Sequence, residues 1–366
     1  MTTQADLIGQ PVEELDTPAL LVDLDVMEGN IRRMAAYFAE HGVSWRPHTK
    51  GVKVPEFAQQ ELAAGAIGVT CAKLGDAEAM AAGGVDNILI ANQIVGQRKL
   101  ERLVALVHGG TTVIVAIDSA DHALALDAAA QAAGVQLNVV VELNVGMDRS
   151  GVLPREPAVA LARQVHELPG LTLRGLMGWE GHAADILDPA AKRQAIEAAI
   201  GTLVATAERC RAAGLPCEIV SCGGTHTYQI TATLPGITEV QAGGGIFCDM
   251  EYSRWVDHPI GLSLLASVVS RPDPQRIIVD SGFKALGRPM TDPCPRDLDG
   301  VTSIGLSAEH GTIGLDAPND AVRIGDKIEI YAGYGDMTVF LHDELYGVRN
   351  GQVEAIWPVF PRRSFR

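Results

Sequence analysis

Apolar runs rich in β-branched residues alternate, up to about residue 242, with stretches in which apolar side chains recur at helical spacing. A continuous apolar run of roughly four to eight residues is typical of a buried strand, whereas a period of about 3.6 residues is typical of an amphipathic helix. Eight runs predict strands, at residues 43–46, 67–71, 87–91, 112–117, 137–143, 171–178, 217–221 and 239–242. Intervening helices are predicted at residues 76–82, 120–133, 156–167 and 190–213.

This strand–helix alternation predicts a parallel sheet, because parallel strands need a crossover connection and a helix usually supplies it. Eight predicted strands make a (β/α)8 TIM-like barrel the expected architecture. A doubly wound α/β sheet is the structural alternative that the same alternation allows.

The pattern changes on both sides of this region. Residues 19–24 form a further apolar run, followed by a helical stretch that Asp25 and Glu28 are placed to cap. Strand-like runs with almost no helix between them follow at residues 262–270, 276–280, 327–331, 338–346 and 353–358. We therefore expect residues 26–260 to form the barrel and residues 261–366 to form a C-terminal all-β domain, which the N-terminal segment 1–25 joins.

Composition and charge narrow the classes of partner. The chain has 366 residues, of which 47% are hydrophobic, and this is sufficient for a large core. Its formal net charge of −16 argues against nucleic acid or an anionic membrane surface as a partner. The six cysteines show neither zinc-site spacing nor a disulfide framework. No run has the length of a membrane span and the start lacks a signal-peptide pattern, so we expect a cytoplasmic protein.

Unusual residues concentrate where the predicted barrel strands end. Lys50 follows the first strand, and glycine-rich loops at residues 222–225 and 243–245 follow the seventh and eighth. Residues 144–149 and 179–182 follow the fifth and sixth strands. The carboxyl ends of barrel strands carry the chemistry in this architecture. Two glycine-rich loops at adjacent strand ends meet the requirement for cradling a phosphate with backbone N–H groups.

A lysine at the same barrel mouth as a phosphate suggests pyridoxal 5'-phosphate. The lysine amine forms a Schiff base with the cofactor's aldehyde, while the phosphate anchors the other end. The alternative is that Lys50 is a salt-bridged surface residue, and composition alone favours that plainer interpretation. A pair of glycines likewise often does no more than make a turn.

An ordered set of motifs carries a family resemblance. The set runs from about residue 17 to residue 358 and comprises "RPHTK", "NVGMDRSGV", "GLMGWEGH", "CGGT", "QAGGG", "DSGFKALG", "LSAEHG" and "LHDELYGVRNGQVEAIWPV". With these motifs the chain resembles the fold-type III pyridoxal-phosphate enzymes of the D-threonine aldolase and D-serine dehydratase group, which are relatives of alanine racemase. The resemblance implies an alanine racemase-like fold and a homodimer in which the partner's β domain completes each active site.

The resemblance also assigns cofactor-binding roles by position. Lys50 in "RPHTK" takes the role of the Schiff-base lysine, and Lys53 is the less favoured choice. Arg149 takes the role of the arginine that approaches the cofactor's phenolic oxygen. The alternative for this arginine is an ion pair with Asp148 or Glu142.

Gln241 falls where alanine racemase has an arginine facing the pyridine nitrogen. A neutral glutamine does not repel a protonated ring nitrogen, so the resemblance implies a stronger electron sink. The alternative is an ordinary polar residue at a strand end. The phosphate-cup role falls to Gly223, Gly224, Thr225, Gly244 and Gly245.

Two aromatic side chains lie in the "GWEGH" loop. The resemblance places Trp179 near the face of the cofactor ring, and the alternative is a core residue. His182 is the candidate general base, because an imidazole pKa lies near working pH, and the alternative is an exposed histidine without a catalytic role. The family's catalytic histidine aligns either here or a few residues later, where this chain has Asp185.

The segment Tyr334-Gly335-Asp336 departs from the family pattern. Aldolases and dehydratases of the group usually carry His-x-Asp or His-x-Cys there and bind a divalent metal near the substrate hydroxyl. A neutral tyrosine is a poor metal ligand whereas imidazole is a common one, so zinc is not expected. We expect Asp336, with Tyr334, to hold a hard ion such as Mg²⁺ or Mn²⁺ weakly. The alternative is a metal-free site in which the Tyr334 hydroxyl acts as an acid or hydrogen-bond donor.

The activity that the resemblance implies is retro-aldol cleavage of a D-3-hydroxy-amino acid to glycine and an aldehyde. The small-molecule substrate is of the D-threonine or 3-hydroxy-D-aspartate type. A dehydratase (deaminase) acting on D-serine or 3-hydroxyaspartate is the first alternative, and an amino-acid racemase is the second. A non-catalytic pyridoxal-phosphate-binding protein is the third. The β domain of about 100 residues argues against that last reading, because a second domain of ordinary size implies an elaborated substrate site.

Overall fold

The computed structural model describes residues 4–288 and 291–359, which form two compact units. The barrel unit comprises residues 34–50 and 55–243. The β unit comprises the described residues among 4–33, 51–54 and 244–359. The domain boundaries expected from the sequence, after residues 25 and 260, stay a prediction. No described helix is both long enough and apolar enough to cross a membrane.

The secondary structure is numbered in chain order. The strands are β1 Ala19–Asp23, β2 Ser44–Trp45, β3 Val69–Cys71, β4 Ile88–Ile90, β5 Val113–Ile117, β6 Leu137–Leu143, β7 Leu171–Gly178, β8 Ile219–Cys222, β9 Glu239–Val240, β10 Leu262–Asp273, β11 Arg276–Val279, β12 Cys294–Pro295, β13 Val301–Leu306, β14 Gly311–Leu315, β15 Lys327–Tyr331, β16 Glu344–Arg349 and β17 Gln352–Pro358. The helices are α1 Gln4–Leu7, α2 Leu24–Glu40, α3 Pro55–Ala63, α4 Leu74–Ala82, α5 Gln97–His108, α6 Ala120–Ala133, α7 Glu156–His166, α8 Pro189–Ala212, α9 Tyr228–Thr231, α10 Phe283–Leu286 and α11 Gly335–Thr338.

The barrel unit contains one parallel sheet of eight strands in the order β2-β9-β8-β7-β6-β5-β4-β3. Its two end strands are joined just beyond β2, where the N–H of Ile67 donates to Trp45 and the N–H of Thr70 donates to Pro47, both over 2.8 Å. A parallel bridge between His48 and Thr70 completes the closure. The predicted (β/α)8 barrel is therefore confirmed, and the doubly wound alternative is wrong because the sheet has no open edge between β2 and β3.

Apolar side chains from successive strands fill the barrel. One cluster draws a residue from each of several neighbouring strands: Leu89, Ile114, Ala116, Val140, Met177 and Ile219. Bulky aliphatic side chains of this kind make a packed core rather than a pore. The continuous apolar runs of the sequence arise because parallel strands are covered on both faces.

The β unit is built on a nine-stranded sheet whose main path is β13-β14-β11-β10-β1-β16-β17. The N-terminal strand β1 lies inside this sheet, antiparallel to β10 through Leu20 and Leu264 and parallel to β16 through Leu21 and Tyr346. Pairing with strands of the C-terminal region buries the apolar side chains of β1. A cluster of Val12, Leu15, Ala19, Leu21, Leu265 and Val353 results.

Two local predictions in the β unit are wrong. Residues 338–346 were expected to form one strand, but the end of α11 and a 3-10 turn at Val339–Leu341 precede β16. The hydroxyl of Thr338 donates to the carbonyl oxygen of Leu286 over 3.0 Å, so a tertiary contact overrides the local β preference. Strands β12, β13 and β14 were not predicted at all.

The cap of α2 also differs from the expectation. The carboxylate of Asp23, not that of Asp25, accepts the N–H of Val26 over 3.1 Å. Asp25 and Glu28 instead bind the guanidinium of Arg349. The helix start is thus joined to the end of β16 by side chains that the sequence assigned to capping.

Candidate active site

The carboxyl ends of the barrel strands lie at one edge, because all eight strands are parallel. Eight of the predicted site residues follow directly on those ends. Lys50 comes after β2, and the others are Arg149 after β6, Trp179 and His182 after β7, Gly223, Gly224 and Thr225 after β8, and Gln241 after β9. The remaining four, Gly244, Gly245, Tyr334 and Asp336, belong to the β unit.

Lys50 lies in a short 3-10 turn, Thr49–Gly51, that is bonded to the neighbouring strand. The hydroxyl of Thr49 donates to the carbonyl oxygen of Thr70 over 3.2 Å. The N–H of Lys50 donates to Nδ1 of His48 over 3.3 Å. The turn therefore holds Lys50 at the barrel edge with an exposed side chain.

Arg46, four residues earlier, does the opposite and points into the protein. It is 2% exposed, and its Nε and Nη2 donate to the two carboxylate oxygens of Glu239 over 2.9 and 3.0 Å. Its Nη1 donates to the carbonyl oxygen of Asn87 over 2.8 Å. Glu239 begins β9 and Asn87 precedes β4, so this arginine of the "RPHTK" motif joins the amino-terminal ends of strands and has a structural role.

Glu180 organises the loop after β8 and was missed by the sequence analysis. It is fully buried, and its carboxylate accepts the N–H of Gly223 over 3.2 Å. The hydroxyls of Thr227 and Thr231 donate to the same carboxylate, each over 2.7 Å. Its place inside "GWEGH", directly after a buried strand, was the available signal. Three donors on one buried carboxylate make the loop after β8 a rigid structure.

The loop that Glu180 holds has the features of an anion site. Gly223 has φ +80°, and a Cβ on Gly224 would lie 2.6 Å from the ring of Trp179, so both positions require glycine. Thr225 is buried, and within residues 4–288 and 291–359 neither its N–H nor its hydroxyl hydrogen-bonds to another group. Donors that have no partner in the described part of the chain fit a bound phosphate.

Gln241 occupies a comparable position after β9. Its side chain is buried, and Nε2 donates to the hydroxyl of Ser221 over 2.8 Å. The amide oxygen accepts no hydrogen bond from the described part of the chain. A neutral acceptor of this kind fits a ring N–H of the cofactor.

Arg149 lies at the edge of a hollow lined by Glu142, Met147 and Trp179, among others. Neither ion pair of the alternative interpretation, with Asp148 or with Glu142, forms. Glu142 instead accepts hydrogen bonds from Gln93 and, over 2.8 Å, from Ser150, and Asp148 accepts one from Asn144 over 2.8 Å. Among the residues that the structure describes, the exposed guanidinium of Arg149 has no hydrogen bond or ion pair. It is therefore a cation available to an anionic group.

His182 lies in the 3-10 turn Gly181–Ala183 that follows Trp179. Its imidazole lies over Gly146, where a Cβ would be 2.8 Å from Cε1. The loops after β6 and β7 therefore meet at this ring, and the histidine itself is exposed. Asp185, the other position with which the family's catalytic histidine aligns, is also exposed.

Tyr334 and Asp336 lie together in the β unit with a third residue, Tyr252. The hydroxyl of Tyr334 donates to Oδ2 of Asp336 over 3.0 Å, and that of Tyr252 donates to Oδ1 over 3.4 Å. Burial, together with the charge of Asp336, raises the pKa of both tyrosines well above the ordinary value. Both hydroxyls are therefore protonated at neutral pH. A carboxylate already engaged by two phenols does not fit a metal site.

Asp249 supports this group from behind. It is 2% exposed and accepts the N–H of Gly335 over 2.6 Å and that of Tyr252 over 2.7 Å. Burial raises the pKa of its carboxyl to about 8. Nothing in the sequence singled out Asp249 or Tyr252, because both follow the glycine-rich loop without a recognisable motif.

The family models that match the chain cover both of its halves. The model described as "Alanine racemase, N-terminal domain" matches residues 22–251. The chain belongs to this family. Its C-terminal part matches the "Putative serine dehydratase domain" over residues 261–348. The resemblance to the D-threonine aldolase and D-serine dehydratase group is thereby confirmed, and pyridoxal 5'-phosphate is the cofactor expected for this alanine racemase-like family.

Individual members of the family are similar to the chain over nearly its whole length. The 3-hydroxy-D-aspartate aldolase of Paracoccus denitrificans (strain Pd 1222) is 35% identical, covering 97% of this chain and 94% of that protein. The crystal structure of D-threonine aldolase from Filomicrobium marinum superimposes with a TM-score of 0.93 at 35% identity, covering 97% of this chain and 98% of that one. The D-threo-3-hydroxyaspartate dehydratase from Delftia sp. HT23 has a TM-score of 0.88 at 30% identity, with 95% and 98% covered.

Proposed function

We propose that the chain is a pyridoxal-phosphate-dependent carbon–carbon lyase that cleaves a D-3-hydroxy-amino acid to glycine and an aldehyde. The observation that carries the proposal is the loop after β8. The carboxylate of Glu180 holds this loop at the same barrel edge as Lys50. Within the described residues, the N–H and hydroxyl of the buried Thr225 donate to no other group. The similarity to aldolases over 97% of the chain supports the same reaction.

The residues of the barrel edge suit the parts of the cofactor. Lys50 provides the amine for its aldehyde, Gly223, Gly224 and Thr225 provide donors for its phosphate, and Gln241 provides an acceptor for its ring N–H. In the β unit, Gly244 and Gly245 are assigned to the phosphate as well. When bound, the cofactor supplies an electron sink for the pair released from a broken Cα–Cβ bond.

Three further side chains act on the substrate or orient it. The guanidinium of Arg149, which pairs with no described residue, provides positive charge for an anionic oxygen of the cofactor or the substrate. Trp179, packed on Gly224, covers the ring face. His182 accepts the proton of the substrate's 3-hydroxyl group at a ring nitrogen, which allows the carbonyl of the aldehyde product to form.

Two phenol hydroxyls of the β unit argue against the metal ion expected at Asp336. Mg²⁺ or Mn²⁺ at Asp336 would compete with the hydroxyls of Tyr334 and Tyr252 for the same carboxylate oxygens. A protonated phenol is not among the ligands that hard cations prefer. Metal binding at Tyr334 and Asp336 therefore stays a prediction, and no step is assigned to a metal ion.

A dehydratase is the second candidate, favoured by the similarity to the Delftia enzyme. In that reaction the Cα proton leaves first and hydroxide follows, giving ammonia and a keto acid. An amino-acid racemase and a non-catalytic binding protein are the remaining alternatives. The engaged carboxylate of Asp336 argues against the dehydratase, because expulsion of hydroxide needs a strong acid or a metal ion on the leaving oxygen.

A product assay tests the proposal. The purified protein with its cofactor is incubated with D-threonine, 3-hydroxy-D-aspartate and D-serine, with and without EDTA. Glycine plus an aldehyde from either of the first two supports the lyase. Ammonia plus a keto acid supports the dehydratase, and loss of optical activity without new products supports the racemase. If the cofactor is bound but no product forms and optical activity is kept, the result supports a non-catalytic binding protein.

We also propose a homodimer with shared active sites. The cytoplasmic location expected from the sequence is likewise part of the proposal. Sedimentation velocity tests the dimer. For complementation, Lys50→Ala is mixed with a variant in the turn between β13 and β14, such as His310→Ala, because that turn contains the "LSAEHG" motif. Activity recovered only in verified heterodimers supports shared sites, whereas a monomeric mass contradicts them.

A further inference from the structure

Tyr252, Tyr334 and Asp336 form what we name the tyrosine–carboxylate cluster. Each carboxylate oxygen of Asp336 accepts a hydrogen bond from one of the two phenols, over 3.0 Å from Tyr334 and 3.4 Å from Tyr252. The two tyrosine rings meet edge to face, with centroids 5.6 Å apart. Tyr334 and Asp336 are half-buried whereas Tyr252 is buried, so Tyr334 is the more exposed of the two tyrosines.

The backbone that carries the cluster is held in place by Asp249. This buried carboxylate accepts the N–H groups of Gly335 and Tyr252, one from each half of the cluster. The N–H of Met250 donates to Ala332 and that of Glu251 donates to Gly333, each over 3.0 Å. The segments that contain Tyr252 and Tyr334 are therefore joined by three hydrogen bonds, and a fourth, from Tyr252 to Asp249, orders the first segment itself.

Two glycines connect the cluster to the cofactor-binding loops through the chain itself. A Cβ on Gly51 would overlap the carboxylate of Asp336, and a Cβ on Gly244 would overlap the ring of Tyr252. Gly51 is the residue after Lys50, and Gly244 is one of the glycines assigned to the phosphate. The cluster thus lies against two segments whose neighbouring residues are expected to hold the cofactor.

We propose that the hydroxyl of Tyr334 takes the place of a metal ion in this protein and donates a hydrogen bond to the 3-hydroxyl oxygen of the substrate. The inference rests on the proposed lyase function. The substrate's O–H bond breaks and its proton passes to His182, while the pair from that bond completes the carbonyl of the aldehyde. When bound, the cofactor would supply the electron sink for the pair of the broken Cα–Cβ bond. The hydroxyl of Tyr334 gives up its hydrogen bond to Asp336 and donates instead to the substrate's 3-hydroxyl oxygen as that oxygen gains negative charge. The hydroxyl of Tyr252 continues to donate to Asp336.

The first test removes the hydroxyl and keeps the ring. Loss of a single donor to a developing oxyanion costs about 10²- to 10³-fold in kcat, so Tyr334→Phe is expected to lower kcat by that factor. The visible absorbance of the bound cofactor and the melting temperature stay those of the unmodified protein. Tyr346→Phe is the matched control, because its hydroxyl donates to Glu344 over 3.0 Å elsewhere in the β unit, and its kcat is expected to be unchanged.

The second test concerns the metal and does not depend on turnover alone. The holoenzyme, chelated with EDTA and dialysed, is expected to keep its kcat and to show no binding of Mn²⁺ by titration calorimetry. Tyr334→His returns an imidazole beside the carboxylate of Asp336 and is expected to bind Mn²⁺. Its kcat is then expected to fall on chelation and to recover when Mn²⁺ is added.

The outcomes separate the inference from the proposed function. If the unmodified protein forms an aldehyde, but EDTA abolishes this activity, Mn²⁺ restores it and Tyr334→Phe keeps full kcat, the lyase stands and the role of Tyr334 is wrong. If no aldehyde forms from D-threonine or 3-hydroxy-D-aspartate, with or without Mn²⁺, the lyase itself is wrong and the inference falls with it.

Discussion

Arg46 and Glu239 form a bidentate ion pair, with 2.9 Å from Nε to Oε1 and 3.0 Å from Nη2 to Oε2. Both side chains are 3% exposed. The pair joins the residue after β2 to the first residue of β9, the strand with which β2 pairs in the sheet. Because the remaining guanidinium nitrogen donates to Asn87 before β4, one side chain links the end of β2 to the starts of β9 and β4.

Removing this arginine is expected to destabilise the protein strongly. Arg46→Ala leaves the carboxylate of Glu239 buried without its partner, and breaking such a pair costs about 3–5 kcal/mol. The melting temperature is the measurement. Arg174→Ala is the control, because its partner Glu218 is 63% exposed and pairs of that kind contribute about 1 kcal/mol or less. Equal losses in the two variants would show that the buried pair has no special contribution.

Glu180 is expected to control the affinity for pyridoxal phosphate without touching it. Glu180→Gln places an amide among the donors of Gly223, Thr227 and Thr231, so that at least one buried donor loses its acceptor. Such a loss costs about 1–3 kcal/mol, so a loop that carries this cost raises the cofactor's Kd about 5- to 140-fold. Fluorescence titration of the apoprotein measures it. Glu218→Gln, on the exposed approach to β8, is expected to leave the Kd unchanged.

Lys50 is expected to carry the cofactor. Lys50→Ala removes the amine at the end of β2, so the visible absorbance of the lysine-linked cofactor and the turnover both disappear. Lys53→Ala, three residues further along, is expected to keep the absorbance and most of the activity. The reverse pattern, with the absorbance kept in the first variant and lost in the second, would transfer the role to Lys53.

Glu61 makes stability depend on pH. It is 1% exposed in α3, and neither carboxylate oxygen has a hydrogen-bond partner among the described residues. Burial raises its pKa well above 4.5. The native state therefore keeps the proton that the unfolded state releases. The contribution of Glu61 to stability is greatest below about pH 4.5 and falls as pH rises towards its native pKa, by at most about 1.4 kcal/mol per pH unit.

Melting temperatures at about pH 5 and about pH 7 measure this loss. Glu61→Gln cannot release a proton and is expected to reduce the difference between the two temperatures. Glu56→Gln is the control, since Glu56 lies exposed on the same helix and its substitution is expected to leave the difference as it is. If Glu61→Gln keeps the full difference between the two melting temperatures, another group causes the pH dependence.

The barrel was predictable because its signals are local. Each of β2 to β9 overlaps an apolar run seen in the sequence, and β6 and β7 begin and end at the predicted residues. Parallel strands covered on both faces need such continuous runs, and the helices between them need a 3.6-residue period, so pattern and structure coincide. The β unit was less predictable, because strands such as β13 have half-exposed, weakly patterned sequences and acquire their form from pairing with β14.

By itself, the sequence determined the strand–helix order, the family and the positions at which polar residues leave the barrel strands, since all of these depend on residues close together in the chain. Only the tertiary structure showed that Arg46 points inward while Lys50, four residues on, lies at the barrel edge. It alone joined Glu180 to Thr231, and Asp336 to Tyr252 across 84 residues. Such contacts depend on where separate segments meet when their apolar faces are buried, and no local pattern encodes the hydrogen-bond partner that a buried carboxylate finds there.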